Sequence, residues 1–333
     1  MTAPHPAHDP ELGALLAEVP LMSTLDTDIL ARLRQVPSPP AETFLAGHPV
    51  DRREVTVAAQ DGTEIPLSIF NPTRADESAM PCVYWIHGGG MVMGDRLSQI
   101  DIPLEWLVAF GAVVVSVDYR LAPEFTGATL VDDCYRGLVW VAEHADELGV
   151  DPARIVVAGI SAGGGLAAGV TLMARDLGGP AIVAQVLSCP MLDHRNTTTS
   201  SRQFSGGPGV WTGEMNEFAW RSVLGDSEDV SRYVSPATAD DLSRLPTTYI
   251  DCGTAEVFRD EDVDYATRIW AAGGQAELHV WAGGFHAFDA LHPQARLSTA
   301  ARRTRTEWLG RVLGTAAQNE HENGRPEHAV SAS

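Results

Sequence analysis

Short runs of continuous apolar residues recur through the middle and the C-terminal third of this chain. Each run covers four to six residues, and they stand at 82–86, 112–117, 154–158, 182–187, 247–250 and 278–281. Such runs are typical of strands that are buried on both faces of a parallel sheet. The apolar spacing between them is helical, at 130–148, 164–177, 260–272 and 294–313. This alternation predicts an α/β fold whose mostly parallel, doubly wound sheet carries helices on both faces.

Two segments lie outside this alternation. The first 50 residues hold two short amphipathic stretches, at 10–18 and 26–35, which predict helices. Residues 192–245 combine Ser, Thr and Gly with large apolar side chains, which indicates an inserted helical lid. Apolar stretches on either side of Asp61-Gly62 predict a β-hairpin. We therefore expect a cap from 1–50 and 192–245, an α/β core from 51–191 and 246–314, and a disordered polar tail at 315–333.

The amino-acid composition and the net charge exclude some classes of binding partner. Hydrophobic residues make up 44% and charged residues 20% of the chain, as in globular proteins. The formal net charge of −21 repels nucleic acid and anionic membranes, so we expect neither as a partner. Solubility accounts for this charge, and a salt-adapted host is the open alternative. No stretch reaches the roughly 18–20 apolar residues that span a bilayer. The N-terminus lacks a signal-peptide pattern, so we expect a cytoplasmic protein.

The residue types present exclude several chemistries. All 23 basic residues are arginines, which removes lysine Schiff bases, pyridoxal anchors and the lysine of phosphate-binding loops. The four cysteines are far apart in the sequence and form no CxxC pair. Most of them lie in apolar runs, which favours buried, unreactive thiols. We expect no metal site and no organic cofactor.

A candidate nucleophile, Ser161, stands in Gly159-Ile-Ser-Ala-Gly163, between a predicted strand and a helix rich in small residues. This pattern fits the G-x-S-x-G nucleophile elbow, in which glycines permit a tight turn that exposes the serine hydroxyl. The helix N-terminus behind the serine supplies a backbone N–H group and a partial positive charge for an oxyanion. Taken alone, the pattern also fits an ordinary strand–helix turn, so its context matters.

That context includes the segment His87-Gly-Gly-Gly90, directly after the strand at 82–86. Consecutive glycines let a backbone approach a substrate closely, and an HGGG element contributes to the oxyanion hole of lipases and esterases. A phosphate-binding loop is the alternative, but no GK[ST] or GxGxxG pattern completes one here. We expect His87 to support the loop and not to transfer protons.

Together these motifs resemble the hormone-sensitive-lipase family, also called bacterial family IV, of α/β-hydrolase carboxylesterases. The matching segments follow the order of the family from about residue 50 to 313, and they are 87–90, 118–124, 159–163, 235–236, 259–261 and 284–286. The sequence departs from many relatives at Ile160, where they have Asp or Thr, and at Met91, where they often have an aromatic residue. Both positions lie beside the expected site and leave its reacting groups in place.

The resemblance implies a catalytic triad and an oxyanion hole. The expected triad is Ser161, His286 and an acid, and the oxyanion donors would be the N–H groups of Gly89, Gly90 and Ala162. Glu256 occupies the acid position of the family, upstream of His286. Asp260 is the rival acid, although we expect it to cap a helix, and Asp251 is a weaker candidate.

The expected activity is hydrolysis of short- to medium-chain carboxylic esters without a cofactor. We expect the side chains of Met91, Phe204, Trp211 and Trp220 to face the small-molecule ester substrate. Hydrolysis of lactones, amides or carbamates by the same triad remains an alternative. A second alternative is a non-catalytic ligand receptor, like the plant gibberellin receptors of this family, which have lost the histidine. Relatives are often dimers, so the resemblance implies a homodimer by default.

Overall fold

The structure, a computed structural model, describes residues 4–45, 47–73, 78–227 and 229–314. The predicted disorder at 315–333 lies outside the described residues. Among the helices that are described, none combines the length and the apolar character that crossing a membrane would need.

The core of the molecule is a single eight-stranded sheet. Its strands are β1 (Val50–Ala58), β2 (Glu64–Pro72), β3 (Met80–Ile86), β4 (Val113–Val117), β5 (Val150–Ile160), β6 (Ala184–Ser188), β7 (Thr247–Ala255) and β8 (Ala276–Phe285). Their order across the sheet is β1-β2-β4-β3-β5-β6-β7-β8. The β1–β2 hairpin is antiparallel and joins β4 antiparallel, while the remaining pairs are parallel. The predicted α/β-hydrolase fold is confirmed.

Eleven α-helices lie within the described ranges. They are α1 (Pro10–Leu16), α2 (Thr27–Leu33), α3 (Asp101–Phe110), α4 (Thr129–Glu143), α5 (Ala145–Leu148), α6 (Ala162–Leu177), α7 (Thr199–Gln203), α8 (Gly213–Leu224), α9 (Arg259–Ala271), α10 (Phe288–Leu291) and α11 (Arg296–Leu313). Helices α4, α6 and α9 pack on one face of the sheet, and α3 and α11 pack on the other.

Burial on both faces explains the continuous apolar runs. In β3, Tyr84 joins the core cluster beneath α4 and α6, while its neighbour Trp85 joins the cluster beneath α3 and α11. Successive side chains of a strand point to opposite faces, so a strand covered on both sides needs apolar residues at every position. Burying one such side chain contributes about 1.5–3 kcal/mol relative to exposure.

The N-terminal segment packs over one end of the sheet and contacts the 192–245 insertion. The backbone N–H of Asp9 donates to Gly283 O at 2.9 Å, and the Asp9 carboxylate caps α1. Thr212 Oγ1 donates to Ser23 O at 2.8 Å, and a β-bridge joins Met22 to Gly209. These two segments therefore form one continuous surface above the core.

The helices differ from the sequence prediction at α3, at the short helix α10, which was not predicted, and at the boundary between α4 and α5. Helix α3 was not predicted, because it is apolar on most sides: Ile102, Leu104, Trp106 and Leu107 are all buried. Such a helix lacks the polar face that makes an amphipathic pattern recognisable. The helix predicted at 130–148 is divided into α4 and α5 at His144, whose backbone leaves the helical conformation.

Candidate active site

Ser161 occupies a strained turn between β5 and α6. Its φ of 56° lies in a region that residues with a side chain rarely adopt. The turn requires its flanking glycines: a Cβ on Gly163 would lie 2.0 Å from Ile86 O, and one on Gly159 would lie 2.2 Å from Gly163 O. The sequence therefore folds locally so that the serine hydroxyl points away from the end of β5.

Three side chains from three separate loops form a continuous hydrogen-bonded chain. Ser161 Oγ lies 2.9 Å from His286 Nε2, and His286 Nδ1 lies 2.7 Å from Glu256 Oε2. The other carboxylate oxygen, Glu256 Oε1, accepts the Gly253 N–H at 3.1 Å. A neutral imidazole that donates from Nδ1 to the carboxylate leaves Nε2 as the acceptor of the serine proton. This is the geometry that a serine nucleophile and its general base require.

The two rival acids lie in other networks. Asp260 accepts the Ser200 N–H at 2.8 Å and the Arg259 Nε–H at 2.8 Å. Its carboxylate thus ties α9 to α7 and does not cap its own helix as expected. Asp251 pairs with Arg305 at 2.8 Å. Neither acid bonds His286, whereas Glu256 does.

The glycine loop after β3 lies beside the serine. Gly89 and Gly90 have φ values of 113° and 65°, and a Cβ on Gly90 would lie 2.4 Å from the Trp211 ring. The Gly88 N–H donates to Gln99 Oε1 at 3.0 Å, which fixes the start of the loop. Within the described part of the chain, the backbone N–H groups of Gly89 and Gly90 donate no hydrogen bond to a protein acceptor. Ala162 begins α6, so its N–H lies at a helix N-terminus.

His87 supports this loop from beneath. Its ring is buried and stacks on Tyr119 with 4.3 Å between centroids, and its Nδ1 lies 2.7 Å from Gly88 O. The Tyr119 hydroxyl donates to His87 O at 3.0 Å. These contacts agree with a supporting role for His87.

A largely apolar cavity of about 510 Å³ opens onto Ser161 and His286. Its wall combines the glycine loop with apolar side chains of the N-terminal segment and of the 192–245 insertion, among them Met22, Leu25, Leu33, Val210 and Met215. A second cavity of about 200 Å³ adjoins it and shares Val210, Trp211 and His286.

The pocket prediction needs correction at three positions. Trp211 lines the main cavity as expected, but Phe204 lines only the smaller one. Met91 and Trp220 line neither cavity; both side chains pack within the core. On α8 the side chain that lines the cavity is Met215, and five residues along a helix turn Trp220 about 140° away from it.

A group of buried acids next to Glu256 was missed by the sequence reasoning. Ligand-type atoms of Cys252, Glu256 and Asp262 lie within 4.8 Å of one another. Burial, with the nearby charges of Glu256 and Glu261, raises the pKa of Asp262 well above its ordinary value. Burial likewise raises the pKa of Glu261, which accepts the Leu192 N–H at 2.7 Å. The signal was the acidic run at 260–262, where helix periodicity directs Glu261 and Asp262 inward.

The donor atoms around Glu256 suit hydrogen bonding better than metal binding. Two groups, Cys189–Glu256–His286 and Cys252–Glu256–Asp262, share the same carboxylate. Burial raises the pKa of both thiols well above the ordinary range, whereas a metal ligand must be a thiolate. A metal at either group would also displace the bonds from His286 and Gly253 to Glu256.

The fold and this site define an α/β-hydrolase with a serine at its nucleophile elbow. A family described as having the alpha/beta hydrolase fold matches residues 83–290. Esterase LipI of Mycobacterium tuberculosis is 36% identical over 281 residues, which cover 82% of this chain and 85% of that protein. Carboxylesterase NlhH of the same organism is 35% identical over 285 residues, which cover 83% and 87%.

A solved structure titled bacterial heroin esterase superposes with a TM-score of 0.83 at 36% identity, and the match covers 92% of this chain and 98% of that one. The chain therefore belongs to the hormone-sensitive-lipase family of α/β-hydrolases, and it is a serine carboxylic ester hydrolase.

Proposed function

We propose that the chain hydrolyses short- to medium-chain carboxylic esters through a triad of Ser161, His286 and Glu256. The observation that carries this proposal is the continuous chain of hydrogen bonds, at 2.9 and 2.7 Å, that ends at a serine hydroxyl in the wall of an apolar cavity.

In the first half of the reaction His286 Nε2 takes the proton of Ser161 while Oγ attacks the ester carbonyl carbon. The imidazolium that forms keeps its Nδ1–H bond to Glu256, whose negative charge stabilises it. The same imidazolium then gives its proton to the departing alcohol. Water repeats the sequence on the acyl-enzyme, which releases the acid and restores the serine.

The N–H groups of Gly89, Gly90 and Ala162 are proposed to hold the tetrahedral oxyanion. The left-handed conformations of Gly89 and Gly90 and the helix start at Ala162 support this assignment. Donors that are held in place before the reaction stabilise the developing charge without reorganisation, which is usually a large part of catalysis by such sites.

Cavity size and lining support the proposed chain length. A volume of about 510 Å³ lies in the range of small-molecule sites. Because residues of the N-terminal segment and of the insertion form part of its wall, we propose that acyl groups of about 2–8 carbons are preferred over longer ones. The same triad could also hydrolyse lactones, amides and carbamates. The receptor alternative is disfavoured because His286 is present and bonded to Ser161.

An activity profile over p-nitrophenyl esters from acetate to palmitate, with matched lactones and anilides, tests the proposal. We expect the highest kcat/KM for an ester between acetate and octanoate, with lactones and anilides slower. Absence of ester hydrolysis would refute the proposed function. A maximum of kcat/KM at palmitate would refute the proposed chain length.

A further inference from the structure

Asp101 is a charged side chain in an otherwise neutral cavity wall. Among the described residues that line the main cavity, Asp101 is the only carboxylate, and neither Arg nor Lys is present. The other polar side chains there are Gln99, Ser161 and His286, and the rest of the wall is apolar. A substrate that fills this cavity therefore meets one carboxylate residue and no arginine or lysine in the described part of its wall.

The position of Asp101 is fixed relative to the reacting groups. It stands in the first turn of α3, two residues after Gln99, which holds the N–H of Gly88 at the start of the glycine loop. Its carboxylate accepts a hydrogen bond from Arg302, whose Nε donates to Asp289 O at 3.1 Å. Asp289 follows His286 by three residues, so Asp101 is held between the glycine loop and the histidine loop.

Arg302 is shared between Asp101 and a second carboxylate. The same guanidinium also donates to Glu105 Oε1 at 2.6 Å, so one positive charge faces two carboxylates. The Asp101 side chain retains 18% of its exposure, so a ligand can still approach it.

The aromatic side chains in the cavity wall suit a cationic ligand, as does the carboxylate of Asp101. Trp211 and Phe44 both line the cavity, and the faces of aromatic rings attract cations. A quaternary or protonated amine thus finds a carboxylate, aromatic rings and apolar surface in one enclosure. A carboxylate-bearing ester meets no arginine or lysine among the described residues of this wall.

We propose that the preferred substrates are esters with a cationic amine, bound with the amine at Asp101. This inference rests on the ester hydrolysis proposed above and specifies its substrate class. A partly exposed charge contact of this kind favours the cationic ester by about two- to fivefold in kcat/KM.

The test compares two esters of the same shape, acetylcholine and its neutral carbon analogue 3,3-dimethylbutyl acetate. We divide the kcat/KM of each ester by its rate constant with hydroxide ion in solution, because the ammonium group itself makes choline a better leaving group. At low ionic strength we expect this normalised kcat/KM to favour acetylcholine by about two- to fivefold in the wild type, and we expect added NaCl to reduce the normalised ratio through screening. In Asp101→Asn the normalised ratio should fall to about one. Because the ratio compares two substrates on one protein, a shared loss of activity or folding cancels.

Glu105→Gln is the matched control. It removes the same charge from the molecule and disturbs the same arginine, but Glu105 does not line the cavity. We expect this variant to keep part of the preference for acetylcholine, because Asp101 still lines the cavity although Arg302 then pairs with it alone. Equal normalised kcat/KM for the two esters in the wild type, or a normalised preference that persists in Asp101→Asn, overturns this inference and leaves the proposed function intact. Hydrolysis of neither ester would count against the proposed function itself.

Discussion

The Glu256 carboxylate lies 2.7 Å from Nδ1 of His286, although the two residues come from different loops. Each is the first residue after its strand, β7 for Glu256 and β8 for His286, and these strands are parallel neighbours. Close approach of the two strand ends depends on glycine, because a Cβ on Gly253 would lie 1.9 Å from Gly284 O. The bond from Gly253 N–H to Oε1 then holds the longer glutamate side chain in place.

Replacing the proposed nucleophile, Ser161→Ala, should reduce kcat by on the order of 10⁶, because triad members act as a unit. Steady-state kinetics with p-nitrophenyl butyrate measures this loss. A fluorophosphonate probe should label the wild type at Ser161, as peptide mass spectrometry would show, and should leave the variant unlabelled. Substantial hydrolysis by the alanine variant would reject the assignment of Ser161.

The acid assignment predicts a ranking of two substitutions. Glu256→Gln should lower kcat by about 10³–10⁴, because the imidazolium loses its charged partner and the imidazole its preferred tautomer. Asp260→Asn should lower it by less than about tenfold, because that carboxylate bonds Ser200 and Arg259 and not His286. The measurement is kcat at saturating ester for both variants. The opposite ranking would assign the triad acid to Asp260.

The buried Asp262 predicts how stability varies with pH. The pKa of Asp262 is raised in the folded protein. At a pH between the pKa of the unfolded chain and this raised pKa, the carboxyl is protonated in the folded state and ionised in the unfolded state, so folding binds a proton. The unfolding free energy should therefore fall as pH rises from about 4 towards the raised pKa. Asp262→Asn cannot ionise, so it should be more stable than the wild type by about 1–3 kcal/mol at pH 8 and similar to it at pH 4.

Urea unfolding across this pH range checks the prediction, with Asp264→Asn as control. Asp264 lies on the same helix, but its side chain is mostly exposed, so its substitution should change the pH dependence little. Equal pH profiles for the wild type and Asp262→Asn would show that Asp262 is charged in the folded state.

Removing residues 1–40 should lower the melting temperature and abolish most esterase activity. The deleted segment contributes Met22, Leu25 and Leu33 to the cavity wall, and its loss opens the cavity to solvent. Calorimetry and the ester chain-length profile measure the two effects. An unchanged melting temperature and profile would show that this segment does not close the pocket.

The substitution Leu12→Ala distinguishes the contribution of the N-terminal segment to stability from its contribution to the shape of the cavity. Leu12 is fully buried against Phe285 and Phe288 and does not line the main cavity. Its truncation should cost about 2–5 kcal/mol. The chain-length profile of this variant should match the wild type at temperatures where it remains folded.

Much of the core could be predicted from sequence because its determinants are local. Burial of both faces makes β3, β4 and residues 155–160 of β5 apolar at nearly every position, so their continuous runs predict the parallel sheet. The turn at Ser161 is encoded within five residues, since Gly159 and Gly163 are what its geometry needs. Helix α3 was not predicted, because other elements cover its apolar surface and its sequence shows no periodic polar face.

The sequence by itself thus determined the fold class, the position of the serine and the order of the candidate triad. Only the tertiary structure decided which acid bonds His286, that Met215 and not Trp220 faces the cavity, and that Asp101 enters its wall. Each of these depends on how elements distant in sequence are oriented against one another. Local spacing specifies which face of an element is apolar, but the packing of several elements decides what that face meets.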